Sequence, residues 1–352
     1  MTLFAPLQVR ELQLKNRVAV SPMCEYSAKE GHPGRWHLVH LGSRAIGGAA
    51  LVMSEATAVQ AIGRISPWDT GIYLDAHIES WKAIADFVRE QGAIPGIQLA
   101  HAGRKGSTAA PWLGGGKIPL NEGGWVPVAP SAVAFDTNYP DPKELTIGEI
   151  DQIVEDFRAS TRRALAAGFQ VVEVHSAHGY LVHEFLSPLS NFRTDEYGGG
   201  FGNRVRFPLR VAQAVRELWP EKWPVFVRIS ATDWKEGGWD LPQSIELSKR
   251  FKDLGIDLVD VSSGGLVPGV KIPVGPGYQV KFAEAIRREA GIATGAVGML
   301  TDPAQVETIL STEQADLVFL ARELLRDPYW PRRAAQELGA KLKAPVQYER
   351  AW

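Results

Sequence analysis

The chain has 352 residues, of which 45% are hydrophobic and 22% charged, the proportions of an ordinary globular protein. Its formal net charge is −2, from 38 basic and 40 acidic residues, so we expect no nucleic-acid or membrane partner. The single cysteine, Cys24, excludes an internal disulfide and a cysteine-held iron–sulfur cluster. Because the N-terminus lacks a signal-peptide profile and no run of 18 apolar residues occurs, we expect a cytoplasmic protein.

Eight short apolar runs alternate with helical patterns along the chain, and the segments between the first seven are too long for hairpins. The predicted strands cover residues 17–20, 49–54, 94–99, 169–174, 224–229, 256–261, 292–295 and 316–320. Eight strand–helix repeats in a chain of this size predict one α/β domain over residues 1–352, a (β/α)8 TIM barrel. An open doubly wound sheet is the alternative, but no GxGxxG motif follows an early strand.

Several residues mark where the intervening helices begin and end. Thr146 and Glu149 form a capping-box pattern that opens an amphipathic run to about Ala167. Asp302 followed by Pro303 predicts a second helix N-terminus. Three glycines fall between a helical pattern and the next strand, where a C-terminal cap is expected: Gly92, Gly168 and Gly255.

Residues 100–145 form the one long irregular segment, after the third predicted strand. The segment contains three consecutive glycines at 114–116, several prolines, Trp112 and Trp125. Because a long structureless loop in a compact domain usually serves a function, we predict that it walls or caps a pocket.

The fourth predicted strand ends in a turn that carries His175, His178, Gly179 and Tyr180. Polar residues at the C-terminal ends of strands form the active sites of α/β barrels. Two alternatives remain open. The two imidazoles could be structural, with their nitrogens satisfied by nearby backbone, or they could be two ligands of a metal ion. A metal site usually needs a third ligand, and no HExxH motif or cysteine cluster supplies one.

The other strand ends add hydrogen-bonding groups, two arginines and several glycines. They comprise residues 21–26, Glu55, Ala56, Gln98, His101, Arg228, residues 262–265, Gly298, Ala321 and Arg322. Glycines after strands seven and eight are the usual phosphate site of this fold, and an arginine can pair with the phosphate. Together these residues predict a phosphate-bearing cofactor with a polar ring system.

Five motifs, in order along nearly the whole chain, resemble the old yellow enzyme family. They are Ser-Pro-Met-Cys-x-Tyr (21–26), Gln-Leu-Ala-His-Ala-Gly-Arg-Lys (98–105), His-Ser-Ala-His-Gly-Tyr-Leu (175–181), Leu-Ser-Pro-Leu-Ser-Asn-x-Arg-Thr-Asp-x-Tyr-Gly-Gly (186–199) and Ala-Arg-Glu-Leu-Leu-Arg-Asp-Pro (321–328). The pair Cys24 and Tyr26, with the ending Gln-Tyr-Glu-Arg-Ala-Trp (347–352), is similar to the bacterial thermophilic-like ene-reductase subclass.

The resemblance implies an NAD(P)H-dependent flavin oxidoreductase, a TIM barrel that holds non-covalent FMN. NADPH or NADH would reduce the FMN, and an enone, enal or nitroalkene substrate would reoxidise it. Two alternatives are disfavoured. Dienoyl-CoA reductases need a cysteine cluster and an added domain, and a flavin-storage barrel without catalysis would not need Tyr180.

The resemblance also implies the residues that bind the cofactor. Gln98 would hydrogen-bond the pyrimidine edge, and Arg228 would stabilise the anionic reduced flavin. The other implied residues are Ser21, Pro22, Met23, Cys24 and Ala56 beside the ring system, and Gly298, Ala321 and Arg322 at the phosphate. The family more often has glycine where this chain has Ala321, but a backbone N–H remains there. The polyglycine insertion within residues 113–124 is less familiar.

For catalysis, the resemblance implies that His175 and His178 donate hydrogen bonds to the substrate oxygen and that Tyr180 protonates the α-carbon. Tyr26 would line the substrate side, and Cys24 would tune the flavin. The tail at about 345–352 would place Arg350 in the active site of a neighbouring subunit. The expected assembly is therefore a homodimer or a homotetramer.

Overall fold

Eight parallel strands close into a barrel in the computed structural model, which describes residues 1–352. Each strand pairs with the next one along the chain, and the last strand pairs with the first through Val318 and Val18. The strands are β1 Val18–Val20, β2 Leu51–Ala58, β3 Ile94–Ala100, β4 Val171–Ser176, β5 Val225–Ser230, β6 Leu258–Ser262, β7 Ala293–Val297 and β8 Leu317–Leu320. The predicted TIM barrel is confirmed.

Eleven helices accompany the barrel. They are α1 Arg35–Ile46, α2 His77–Glu90, α3 Ile147–Ala166, α4 Leu181–Leu186, α5 Phe201–Arg204, α6 Arg206–Leu218, α7 Leu241–Asp253, α8 Val280–Ala290, α9 Pro303–Ser311, α10 Arg322–Arg326 and α11 Trp330–Glu337. No helix among them is long and apolar enough to span a lipid bilayer.

The predicted helix ends are confirmed. Thr146 and Glu149 form the reciprocal capping box at the start of α3, with the Thr146 N–H donating to the Glu149 carboxylate at 2.9 Å. Asp302 caps α9 by accepting the Gln305 N–H at 2.7 Å. The three predicted cap glycines all adopt left-handed backbone conformations: Gly92, Gly168 and Gly255 have φ of +68°, +85° and +80°.

Strands β2 and β4 extend past their predicted ends into buried polar residues. Strand β2 continues through Glu55 to Ala58, with a register shift between Met53 and Ala56. Glu55 is buried and its Oε1 lies 2.8 Å from His37 Nε2, so a partner elsewhere in the chain keeps its polar group inside the sheet. Strand β4 likewise continues through His175 to Ser176.

The N-terminal end of the barrel interior is apolar. A short antiparallel hairpin, Leu7–Val9 with Leu12–Leu14, packs there against the first residues of several strands. Leu14 belongs to the same buried cluster as Phe226, Leu258 and Phe319. Because this end is filled by hydrocarbon, the polar groups of the interior gather at the opposite end, where the strands finish.

The segment after β3 lacks long secondary structure, as predicted. It contains three short 3₁₀ turns after Ala102 and a two-stranded pairing of Val128–Ala129 with Lys143–Glu144. Gly114, Gly115 and Gly116 have φ of +94°, +62° and +80°, a run of left-handed conformations that residues with a side chain rarely adopt. The three glycines therefore allow a backbone path that residues with side chains would rarely follow.

Candidate active site

The turn after β4 brings two imidazoles and a phenol together at the barrel mouth. The ring centroids of His175 and His178 lie 5.2 Å apart, and those of His175 and Tyr180 lie 5.1 Å apart. His178 and Gly179 both have left-handed backbones, with φ of +60° and +72°. A Cβ on residue 179 would overlap the Gly265 carbonyl oxygen, so the turn requires glycine at this position.

Three side chains from other elements hold this turn. Ser230 Oγ, at the end of β5, accepts the His178 N–H at 2.9 Å. Lys105 donates to the His178 carbonyl at 2.8 Å and also to the Gly265 carbonyl. His183 Nδ1, on α4, accepts the Gly179 N–H at 2.9 Å. The backbone beneath His178 and Tyr180 is therefore fixed from several directions.

Both imidazoles are neutral at physiological pH. Burial, with the charge of Arg228 added, lowers the pKa of His175 and of His178 well below the ordinary value. His175 Nδ1 accepts the Ala177 N–H at 3.3 Å, so its proton lies on Nε2, which has no protein partner. His178 Nε2 lies 2.7 Å from Ser262 Oγ. Ser262 Oγ also lies 3.4 Å from Gln279 Oε1, to which it can donate. The direction of the His178–Ser262 hydrogen bond therefore sets whether the His178 proton lies on Nε2 or on Nδ1.

Tyr180 is suited to deliver a proton. Burial raises the pKa of its phenol well above the ordinary value, with nearby acidic groups adding to the effect, so the hydroxyl stays protonated. The hydroxyl has no hydrogen-bond partner within the protein, whereas the ring lies beside His175 and Lys105. A half-buried phenol with no partner, next to two imidazoles, can act as an acid beside a pair of groups able to stabilise negative charge.

Four buried polar side chains line the barrel interior next to the imidazoles. Gln98 pairs in register with Glu173, and its Nε2 donates to the Glu173 carboxylate at 2.8 Å. Arg228 lies in register between His175 and Asp260, with its Nε 3.1 Å from an Asp260 oxygen. That contact lacks hydrogen-bond alignment, so Arg228 Nε keeps its capacity to donate.

Glu173 and Asp260 were not predicted from the sequence. Burial is the main cause that raises the pKa of Glu173, to about 8, with Asp260 adding to the shift and Arg228 opposing it. Burial also raises the pKa of Asp260 to about 6. Glu173 stands two residues before His175, on the same face of β4, so the strand's alternation was the signal that could have identified it.

The segment after β1 forms another part of the mouth. Ser21 is buried and its hydroxyl has no partner within the protein. Cys24 keeps its thiol proton, because burial and the charges of Asp69 and Glu55 raise its pKa well above the ordinary value. The second Glu55 oxygen accepts the Glu25 N–H at 3.2 Å. This bond holds the segment that contains Pro22 and Met23 against β2, in which Ala56 follows Glu55.

The predicted phosphate residues lie at the ends of the last two strands. Gly298 directly follows β7 with φ of +120°, and a Cβ there would meet the Gln279 amide at 2.7 Å. Ala321 follows β8 and caps α10, whose first residue is the exposed Arg322. The predicted ring and phosphate residues therefore share one end of the barrel.

The residues present fit an FMN group. A polar ring with carbonyls and ring nitrogens matches the unpartnered Ser21 hydroxyl, the Arg228 guanidinium and the Gln98 amide, which Glu173 orients. A phosphate matches the backbone N–H groups after β7 and β8 with Arg322 beside them.

Of the two remaining predicted site residues, Tyr26 lies at the barrel mouth and Arg350 lies away from it. Tyr26, with φ of +47°, packs edge-on against Trp112 with ring centroids 5.5 Å apart, so the glycine-containing loop walls this side of the mouth as predicted. Arg350 is exposed and forms no ion pair. In its tail Trp352 stacks on Tyr329, with ring centroids 6.2 Å apart. Within one chain, the structure does not bring Arg350 to the other site residues.

Comparisons with known proteins identify the family to which the chain belongs. Residues 2–341 match the NADH:flavin oxidoreductase / NADH oxidase family. The chain belongs to this family. An NADPH dehydrogenase of Geobacillus thermodenitrificans is 52% identical over 352 residues, covering 99% of this chain and 98% of the relative. Morphinone reductase in complex with tetrahydroNAD is 30% identical at a TM-score of 0.80, covering 97% of this chain and 92% of that one. An old yellow enzyme homologue from Zymomonas mobilis is 28% identical at a TM-score of 0.79, covering 98% and 95%.

Membership in the NADH:flavin oxidoreductase family confirms the predicted old yellow enzyme resemblance and the predicted enzyme class. The chain is an oxidoreductase that uses FMN with NAD(P)H. His175 and His178 belong to no group of three or more side chains placed to hold a metal ion. The metal alternative therefore has no geometric support.

Proposed function

We propose that this flavin oxidoreductase is an ene-reductase for activated alkenes, meaning α,β-unsaturated carbonyl or nitro compounds. The observation that carries the proposal is the convergence of two neutral imidazoles and one unpartnered phenol at the mouth of the barrel. Reduction of a carbon–carbon double bond next to a carbonyl needs these two functions, because negative charge develops on oxygen and a carbon must receive a proton.

His175 and His178 would bind the substrate oxygen. As neutral donors they polarise the carbonyl or nitro group, and they face the charge that develops in the transition state. Their low pKa values suit this role, since neither ring transfers its proton to the substrate at neutral pH. Burial strengthens both hydrogen bonds, because water competes poorly at this depth.

Tyr180 would donate a proton to the α-carbon. Its phenol is protonated across the physiological pH range and can recover a proton from solvent after turnover. Tyr26 and Trp112 would form the wall on the substrate side, and Cys24, held as a thiol, would lie against the flavin as a polarisable group.

FMN, when bound and reduced by NADPH or NADH, would supply the hydride for the β-carbon. Ser21, Pro22, Met23, Cys24 and Ala56 would lie beside its ring system, Gln98 and Arg228 at its polar edge, and Gly298, Ala321 and Arg322 at its phosphate. The guanidinium of Arg228 would favour negative charge on a ring bound beside it.

We also propose that the enzyme is cytoplasmic and works as a homodimer or homotetramer, with one domain per chain and Arg350 of each tail lining the partner's substrate pocket. The exposed tail, separate from its own chain's site residues, supports this arrangement.

Steady-state assays would test the proposed activity. The purified protein, which is expected to be yellow with bound FMN, is mixed with NADPH and 2-cyclohexenone under anaerobic conditions, and product is quantified against NADPH consumed. Equal amounts of cyclohexanone formed and NADPH oxidised would support the ene-reductase. NADPH oxidation that depends on oxygen alone, with no saturated product from a panel of enones, enals and nitroalkenes, would overturn it. Running NADH in parallel gives the preferred donor.

A further inference from the structure

A buried histidine–carboxylate pair lies beneath the turn that presents His178 and Tyr180. The side chains of His183 on α4 and Asp233 after β5 are both 0% exposed. His183 Nε2 lies 3.0 Å from Asp233 Oδ1, although the contact is bent away from ideal hydrogen-bond alignment. Neither residue belongs to the predicted flavin or substrate contacts.

The hydrogen bonds around His183 fix its tautomer. The Gly179 N–H donates to His183 Nδ1 at 2.9 Å, so this nitrogen carries a lone pair. The ring proton therefore lies on Nε2, which faces the carboxylate. A proton on Nδ1 instead would place two donors against each other and release the Gly179 N–H.

Asp233 is itself locked in place. Its Oδ2 accepts the Ser187 hydroxyl at 2.6 Å and the Trp239 N–H at 2.7 Å, which leaves Oδ1 for His183. Burial alone would raise the pKa of Asp233, but the bonds from His183, Ser187 and Trp239 outweigh it and the pKa falls below the ordinary value. The carboxylate stays ionised and keeps selecting the Nε2–H tautomer.

The turn needs such a restraint. His178 and Gly179 are consecutive left-handed residues, and a left-handed conformation is costly for a residue with a side chain. Tyr180 follows directly as the N-cap residue of α4, the helix that carries His183. A released Gly179 N–H would let the turn relax, which would move the imidazole on one side of it and the phenol on the other.

We propose that Asp233 and His183 are positioning residues. The Asp233 carboxylate sets the His183 tautomer, and His183 then holds the Gly179 N–H. The turn thereby keeps His178 and Tyr180 facing the substrate. The catalytic consequence rests on the proposed function. The effect on the turn does not.

Three variants of the FMN-loaded enzyme test the proposal. Asp233→Asn places an amide opposite His183 and favours the wrong tautomer. His183→Leu removes the acceptor for Gly179. His183→Asn is the conservative variant, because its amide oxygen can still accept the Gly179 N–H. Three properties are measured: phenol affinity from the flavin absorbance change, the rate at which 2-cyclohexenone reoxidises the reduced enzyme, and hydrogen–deuterium exchange of the peptides that span residues 175–185.

Asp233→Asn and His183→Leu are expected to weaken phenol binding and slow alkene reduction about 10- to 100-fold, the range typical when a metal-bound imidazole loses the group that orients it. They should also speed exchange at the turn, with FMN still bound, whereas His183→Asn stays close to wild type. Wild-type phenol affinity and wild-type exchange in Asp233→Asn would overturn the proposal. If the wild type itself neither reduces alkenes nor binds phenol, the proposed function fails, while the exchange data still decide whether the pair holds the turn.

Asp257→Asn is the matched control. This partly buried carboxylate accepts the Val225 N–H at 2.8 Å at the opposite end of the barrel. Its loss should lower stability without changing phenol affinity or exchange at residues 175–185. An equal loss of phenol affinity in Asp257→Asn would mean that the effect of Asp233→Asn is general destabilisation, and would also overturn the proposal.

Discussion

At the scale of single residues, Arg228 affects the pKa values of both imidazoles of the site. Its guanidinium lies in register with His175 and next to Asp260, and its charge adds to burial in keeping both histidines neutral. The same charge is available to a bound flavin. One buried arginine would therefore favour negative charge on a flavin bound beside it, while it keeps the two proposed substrate donors free of charge.

Replacing either imidazole by alanine tests the anion-stabilising pair. His175→Ala or His178→Ala should slow alkene reduction by about 10²–10³, the usual loss for one donor to a developing oxyanion. Each variant should also bind phenols more weakly, because a phenolate oxygen resembles the enolate oxygen. Phenol titrations followed by flavin absorbance provide the measurement, and unchanged affinity in both variants would show that the pair does not face the substrate oxygen.

Tyr180→Phe separates the two half-reactions. Only the alkene half-reaction needs a proton on carbon, so this variant should reoxidise slowly with 2-cyclohexenone while NADPH reduces it at a nearly normal rate. Stopped-flow absorbance resolves both steps in one experiment. Equal slowing of the two steps would contradict the proton-donor role.

At the scale of elements, α4 joins the histidine turn to the loop after β3. Glu184 on this helix is fully buried, and its carboxylate accepts the Arg104 N–H at 2.9 Å. Burial raises the pKa of Glu184 to about 8, although Arg104 and Lys105 oppose the shift. Between about pH 4.5 and 8 the folded side chain is therefore mostly protonated, whereas the same side chain in the unfolded protein would be ionised.

The stability of the folded protein should fall with pH because of Glu184. Its folded pKa lies above the unfolded value, so its contribution is complete below about pH 4.5 and is lost as pH rises to about 8. Glu184→Gln imitates the protonated form, and wild type should lose stability relative to it by up to about 1.4 kcal/mol per pH unit. Denaturant unfolding at pH 5, 6, 7 and 8 measures this difference.

The exposed Glu11→Gln serves as the control for that series, since a surface substitution usually changes stability by less than about 0.5 kcal/mol. Lys105, whose pKa burial lowers to about 7, interacts with Glu184, so the difference between wild type and Glu184→Gln reports the titration of the two groups together. A constant difference between wild type and Glu184→Gln across this range would show that Glu184 is ionised in the folded state.

The strands and helix caps could be predicted because their signals are local. Apolar runs mark the strands, and the side chains at Thr146 and Asp302 bond to backbone only three residues away. The predicted strands β2 and β4 ended too early, just before Glu55 and His175. A polar residue continues a buried strand only when it has a partner elsewhere in the chain, and a local pattern does not show that partner.

The groups that support the site could not be predicted in the same way. Glu173 meets Gln98 across 75 residues of chain, and Asp233 meets His183 on another element. These contacts depend on strand register and helix placement, which no short motif encodes. The residues that would touch flavin and substrate were predictable because they stand in motifs at strand ends.

At the scale of the whole molecule, the C-terminal tail is separate from its own active site. Trp352 packs on Tyr329, and the Arg332 guanidinium lies 5.8 Å from the Trp352 ring centroid, so the tail is anchored while Arg350 stays exposed. An exposed arginine between aromatic anchors is typical of an interface residue.

Deleting residues 346–352 tests the proposed assembly. The truncated protein should keep FMN but dissociate more readily and reduce alkenes more slowly, because the partner's pocket loses its arginine. Analytical ultracentrifugation and steady-state kinetics provide the two readouts. Arg350→Ala in the full-length chain separates the loss of the arginine from the loss of the aromatic anchors, and native assembly with native activity in the truncated protein would contradict the assignment.

The most direct test of the account is a single turnover. The FMN-loaded enzyme is reduced anaerobically with one equivalent of NADPH and mixed with 2-cyclohexenone, and the flavin absorbance and the organic product are followed together. The account predicts that the oxidised flavin spectrum returns and that one equivalent of cyclohexanone forms, at a rate that falls sharply in Tyr180→Phe. A flavin that stays reduced in the presence of the enone, and is reoxidised only by oxygen, would contradict it.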